Sequence, residues 1–513
     1  MRTPLVVLAA ALLATTVGAV ATAATETELS YPVVDSGQVW CFDDGTVIPC
    51  GTSHDGQDAQ YEAQQPAYQV NGDGTVTDLV TGLMWLADPG EKTTYGEALA
   101  TLEDYEFAGY DDWRLPTIKE LYSLSLWSGL DPSGLSSSDA EGLEPFIDDN
   151  VFAFSYGDKS GGARVIDSQW LTSSVYGSEV MNGQSCFFGY NFADGRIKCY
   201  PLEQPGGSGG YFALFVRGAS DYGLNAFVDH EDGTVSDLAT GLTWTQTDAG
   251  AEMEWADALG YCQDLALAGA DDWRLPSIKE LHTLVDYSRS PDTTDSPAID
   301  PLFDLTQIVN ENGDTDWGHY WSSTTFMSYG GDASAAAYIS FGRALGYMEE
   351  FGGWVDVHGA GAQRSDPKVD TGVSYRGPQG DATRSANHVL CVSGGDVAHS
   401  DGESPATLES GDATITAPLA RLRADESDRA VPLRWARGAA AAGGRAADPD
   451  RRRGPGPGPS VLGQHGRCRL RHGPTVGDPI RDRPAPSPPG NPGHRHGRRG
   501  RGFGAGRVAL RAR

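Results

Sequence analysis

Carboxylates set around glycine turns are the first residues here whose types and spacing could do chemistry. Asn71-Gly72-Asp73-Gly74-Thr75-Val76-Thr77-Asp78 and Asp229-His230-Glu231-Asp232-Gly233-Thr234-Val235-Ser236-Asp237 offer the hard oxygen ligands that calcium takes. Neither run ends in the bidentate glutamate of a twelve-residue calcium loop. A plain Asp-Gly hairpin is therefore the first reading, with Asp73, Asp78, Asp232 and Asp237 as candidate calcium ligands under the second. The phrase Asp-Asp-Trp-Arg-Leu-Pro, at 111–116 and again at 271–276, offers a different chemistry. Trp113 and Trp273 could stack on a sugar face while Asp112 and Asp272 accept its hydroxyls. The competing reading makes each Trp a core residue and pairs Arg114 and Arg274 with the neighbouring aspartates. A capping box follows directly on the phrase, which favours that structural reading.

Catalysis finds less support. Seven histidines precede residue 421, and none occupies the same position in both occurrences of the repeated phrases; His282 stands where Tyr122 does. No nucleophile–histidine–acid set is shared by the copies, and no phosphate-cradling glycine loop or His-Glu-x-x-His is present. A protein without catalytic activity is expected.

The elements that position these residues come twice. Asp111 to Leu121 returns as Asp271 to Leu281 with only Thr117 changed to Ser277, and Asp73 to Trp85 returns as Asp232 to Trp244. The chain is a tandem duplication, and features found in both copies belong to the fold. Each copy reads first as an Asp-Gly hairpin with strand-like alternation. An amphipathic helix follows, its apolar face formed by Tyr95, Ala98, Leu99 and Leu102 in the first copy and by Trp255, Ala258, Leu259 and Cys262 in the second. Thr117-Ile-Lys-Glu120 and Ser277-Ile-Lys-Glu280 then start a second helix as capping boxes. After a variable loop, Trp170-Leu-Thr-Ser-Ser174 matches Tyr320-Trp-Ser-Ser-Thr324, and short strands end each copy. This order predicts an α+β domain.

Composition sets the boundaries. Residues 1–24 read as a signal peptide, a charged start followed by an apolar stretch and small residues. Residues 25–65 form a lead-in with a small loop, 66–218 and 224–395 the two copies, and 396–420 a linker. Residues 421–513 hold 21 Arg, no Lys and only 7 acidic residues, in a setting rich in Pro and Gly that cannot bury a core. A basic arm is one reading of this tail. A frameshifted translation of a GC-rich gene is the reading preferred, in which case the genuine C-terminus, with any membrane anchor, lies elsewhere. Residues 1–420 then keep 17 basic and 63 acidic residues, a net charge of −46 that repels nucleic acid and anionic lipid. A secreted or cell-surface protein is expected, with no inserted membrane span in its folded part.

Export permits disulfides. Outside the tail the cysteines are Cys41, Cys50, Cys186, Cys199, Cys262 and Cys391. Cys262 aligns with Leu102 and Cys391 with Phe215, so both are replaced together by apolar residues, as one buried bridge requires. Cys186 and Cys199 flank a hairpin-like stretch with an Asp194-Gly195 turn. Cys41 and Cys50 close a short loop.

Gln57-Asp-Ala-Gln-Tyr61, the two Asp-Gly-Thr-Val-x-Asp-x-x-Thr-Gly-Leu-x-Trp runs, the two Asp-Asp-Trp-Arg-Leu-Pro-x-Ile-Lys-Glu-Leu phrases, Tyr320-Trp-Ser-Ser323 and Val389-Leu-Cys391-Val392 together resemble the Lcl C-terminal domain family, over roughly residues 31–395. The resemblance implies exported bacterial proteins and adhesion through sulfated polysaccharide. The Arg-Leu-Pro-Thr and Trp-Ser-Ser phrases are also similar to C-type-lectin-like folds. This chain departs from the family's namesake in lacking a collagen-like Gly-x-y repeat, and its acidic body fits a neutral sugar, a surface protein or a cation-bridged ligand better than a heparin-like one. The expectation is two tandem C-type-lectin-like α+β domains acting as a surface adhesion module. An exported enzyme and a passive envelope protein are the alternatives.

Overall fold

The computed structural model describes residues 30–135, 142–203, 210–377, 379–395 and 397–399. The expected signal peptide and tail lie outside them, as does most of the linker. The described residues are strand-rich with five α-helices, a mixed α and β fold.

Each copy opens with the expected Asp-Gly hairpin, which a third antiparallel strand extends: Tyr68–Val70, Thr75–Asp78 and Met84–Leu86 in the first and Phe227–Asp229, Thr234–Asp237 and Leu242–Thr245 in the second. A late strand of the same copy completes each sheet, Val216–Arg217 against Trp85 and Met84, and Val392–Gly394 against Trp244, Thr243 and Leu242. Helices α1 (Tyr95–Leu102) and α2 (Ile118–Ser123) follow in the first copy, α3 (Trp255–Gln263), α4 (Ile278–Thr283) and α5 (Pro291–Thr294) in the second.

The capping boxes form at α2 and α4. Thr117 and Ser277 accept from the backbone of Glu120 and Glu280, whose carboxylates return to the cap backbone. The first amphipathic helices differ between the copies. All four expected residues of α3 are buried, whereas Leu99 on α1 is 46% exposed and Ala98 alone is buried there. The α3 residues cluster with Trp273, Trp321, Tyr338 and Val389 of their own copy, and the lead-in packs beside them on the second copy. His54 stacks on Trp255 with ring centroids 6.1 Å apart, Gln263 donates to the Tyr61 hydroxyl at 2.6 Å, and the Gln38 amide donates to the Thr325 carbonyl at 2.8 Å.

The three expected disulfides are present, with Cα separations of 5.2, 5.4 and 5.6 Å for Cys41–Cys50, Cys186–Cys199 and Cys262–Cys391.

The two copies share one seven-stranded antiparallel sheet. Its order runs His319–Ser328, Asp332–Ser340, Gln363–Pro367, Arg196–Pro201, Gln184–Asn191, the last pairing with both Gln169–Trp170 and Val175–Val180. Equivalent strands of the two copies lie at equal distances from the centre, where Ile197 pairs with Gln363. The arrangement is that of a two-fold dimer joined in one chain.

The repeated Lys of the second helix holds this junction. Lys119 donates to the carbonyl of Thr283 at the end of α4 at 2.8 Å, and Lys279 to that of Ser123 at the end of α2 at 2.9 Å. Cations suit helix C-termini, where unpaired carbonyls gather. Tyr122 and His282, which occupy equivalent positions, meet with ring centroids 4.3 Å apart. A single hydrophobic cluster runs through both copies, from Val76 to Val392.

Candidate functional site

The structure assigns most residues of the repeated phrases to the scaffold. Trp113 and Trp273 are 5% and 2% exposed, so neither indole face can stack on a ligand. This corrects their reading as sugar platforms. Burial is what a large aromatic next to a capped helix gains by folding. Arg114 and Arg274 do not pair with the adjacent aspartates. They grip the capping-box carboxylates instead, Arg114 with Glu120 at 2.7 and 2.5 Å and Arg274 with Glu280 at 2.7 Å twice. Asp112 turns outward to Arg217, and Asp272 accepts from Ser393 at 2.9 Å.

The candidate calcium ligands are also occupied by turn bonds. Asp73 and Asp232 each accept from the amide and hydroxyl of the Thr two residues on. Asp78 accepts from the amides of Val80 and Thr81, and Asp237 from those of Ala226 and Ala239. Within each copy one precedes a short strand and the other is its last residue, so the two do not converge. Among the described residues no group of three His, Cys, Asp or Glu is arranged to hold a metal. The loops are accounted for as Asx-type turns.

A cleft of about 1050 Å³ opens along the central sheet where the copies meet. Arg196 and Lys198 alternate with the buried Ile197 and Cys199 along their strand, so period two sends the cations to one face and the apolar pair to the other. Arg364 joins them from Gln363–Pro367, next to Tyr338 in the ladder. The second copy departs from the first here. Where the first has the Asp194-Gly195 turn, the second makes an excursion over residues 341–362, and a further one follows over 368–388. The excursions form a four-stranded sheet of Leu345–Met348, Gly353–Asp356, Tyr375–Arg376 and Asp381–Ala382. They bring His358, Arg376, Gln379 and Asp381 to the cleft.

Carboxylates hold these cations in place. Asp131 takes Arg196 at 2.8 Å, Asp194 takes Lys198 at 2.6 Å, and Asp381 takes His358 at 2.9 Å together with Arg364. Burial works against the Arg196 charge, but Asp131 and Asp194 outweigh it and hold the group above its usual range. Burial drives Lys198 down to about 8 against the pull of Asp194. Arg364 falls to about 10, first through burial and then through Arg196 beside it. Burial, with the Arg364 charge adding to it, also holds His358 well below its usual value, so the imidazole is neutral. Its Nε2–H then donates to Asp381, leaving Nδ1 as a lone-pair acceptor without a partner. Such an arrangement is suited to binding a polar or charged ligand between oriented donors and acceptors.

The sequence reading gave no residue of this cleft a binding role, naming only Asp194 as part of a turn and Cys199 as a disulfide partner. One signal was available: Arg196 and Lys198 stand two apart beside the Asp194-Gly195 turn, in a body with few cations. Nothing local points to Arg364 or Asp381, which the second copy supplies from separate excursions.

Compared with known proteins, the chain matches the family model of the Lcl C-terminal domain over residues 74–217 and 233–354, just over half its length. No curated protein and no solved structure matches it.

Proposed function

This chain belongs to the Lcl C-terminal domain family in two copies, and on that premise we propose that it is a secreted or cell-surface adhesion protein that binds its ligand in the cleft between them. The cleft is the observation that carries the reading. It is the place where both copies contribute charged side chains to a common polar space, Arg196 and Lys198 from one and Arg364 and Asp381 from the other. Family membership supplies no enzymatic activity to carry over. The three disulfides fit an oxidising compartment, and no helix among the described residues is long and apolar enough to cross a membrane.

Carbohydrate is the ligand class we favour. Tyrosine rings and oriented charged groups line the cleft together, the combination that suits a hydroxyl-rich ligand with apolar ring faces. The lectin-like character of each copy is part of the same proposal. A glycan array probed with the oxidised protein tests it, run with calcium and again with chelator. Hits that ignore chelator support recognition by the cleft. Hits that require calcium would return attention to the Asp73/Asp78 and Asp232/Asp237 turns, and silence in both conditions would leave a protein partner or an envelope role instead.

A further inference from the structure

We propose that the cleft takes its ligand by a single carboxylate, held at Arg364, on an otherwise neutral hydroxyl-bearing body of the sugar-acid type. The proposal rests on the preceding reading that the cleft is the binding site, and it names the chemistry bound there.

Five cations and five carboxylates line the cleft, a formal balance of zero inside a chain of net charge −32. Four of the cations are already engaged. Arg164 pairs with Asp167, Arg196 with Asp131, Lys198 with Asp194, and Arg376 donates to the carbonyl and hydroxyl of Ser365. Arg364 differs from these. One nitrogen, Nη2, reaches Asp381, while Nε and Nη1 are buried without a hydrogen-bond partner. A buried donor without an acceptor is destabilising, and more so when charged. A guest oxyanion at this guanidinium would remove that cost.

The class of guest follows from what surrounds Arg364. A polyanionic chain would meet five carboxylates and cations that are already engaged, with only the Nε and Nη1 donors of Arg364 left over, so repulsion would grow with each added charge. One planar carboxylate matches one planar guanidinium. The neighbouring vacant positions are acceptors: His358 Nδ1 and Asp194 Oδ1 are both buried and without a partner. Hydroxyl groups on the ligand body can donate to them. Arg364 sits on a strand at the middle of the shared sheet, so its position is fixed before the ligand arrives.

Calorimetric titration of the full oxidised chain tests this with three probes at matched ionic strength: glucuronate, glucose, and glucuronate in competition with acetate or sulfate. We expect glucuronate to bind at least tenfold tighter than glucose, acetate to compete better than sulfate, and Arg364→Gln to weaken glucuronate at least tenfold while circular dichroism shows the fold intact. Equal binding of glucose and glucuronate, or an Arg364→Gln variant that binds as well as the parent, would overturn the assignment. Sulfate competing as well as acetate would overturn the carboxylate preference. Should Arg364→Gln not fold, the glucose comparison and the acetate competition on the unmodified chain still decide. Array hits that persist without glucuronate selectivity would remove this assignment and leave the binding function standing.

Discussion

Replacing Lys279 by methionine tests whether the repeated lysine joins the two copies. Its ammonium donates to the carbonyl of Ser123 at 2.9 Å and to that of Asp35 at 3.0 Å. Methionine keeps the length and loses both donors. Two buried carbonyls left unpartnered cost about 1–3 kcal/mol each. Removing a charge that burial disfavours returns part of this, so the expected net loss is about 2 kcal/mol at pH 7. The pH dependence is the sharper signature. Burial drives Lys279 down to about 7 in the folded protein, while an unfolded lysine keeps its proton to about 10.4. Between those values the unfolded state binds more protons, so this group makes stability rise with pH, by at most about 1.4 kcal/mol per pH unit. The neutral amine still has two N–H groups for its two acceptors, so losing the proton costs no hydrogen bond. Lys119 bonds three acceptors and is pushed down less, to about 8. Urea unfolding followed by tryptophan fluorescence, at pH 7 and pH 9, measures both effects. The Lys279→Met deficit should widen by about 2 kcal/mol at the higher pH. A variant as stable as the parent, or two parallel pH curves, would refute the reasoning.

Two further predictions follow from the same structure. Burial, with Asp35 close by, raises the Asp58 carboxyl to about 7, so the folded state holds a proton that the unfolded chain releases near 3.9. The group therefore costs stability as pH rises from about 4 to 7; Asp58→Asn should flatten that part of the curve, and an unchanged curve from thermal melts across this range would count against it. The disulfides should rank by loop length. Removing Cys262–Cys391, which spans 129 residues, should cost about 5 kcal/mol, and removing Cys41–Cys50, which spans 9, about 2.5 kcal/mol, on the chain-entropy estimate. Urea midpoints of the two Cys→Ala pairs would show the reverse order if native packing rather than loop closure dominates.

Much of the local structure could be read from the chain itself. Thr117 and Ser277 cap their helices because a hydroxyl three residues before a glutamate satisfies orphan amides whatever lies beyond. The Asp-Gly turns and the Cys262–Cys391 bridge were legible for a similar reason, since spacing and the paired Leu102 and Phe215 replacements state them directly. The cleft was not legible. His358, Arg364 and Asp381 come from segments that carry no local signal, and Arg196 and Lys198 acquire a common purpose only once their strand meets its counterpart.

The sequence by itself determined that one unit occurs twice, where its helices begin, how its cysteines pair and that its body is acidic. Those properties depend on residues near in the chain or on a comparison of the chain with itself. The tertiary structure decided that the two units share one sheet, that the repeated Trp is core and the repeated Lys a cross-link, and that scattered cations gather into one cleft. The shared sheet and its cleft depend on the pairing of Ile197 with Gln363, a contact between residues far apart in sequence whose register is set by the packing of both units together; the Lys cross-link depends on α2 meeting α4, and the burial of Trp273 on packing within its own copy.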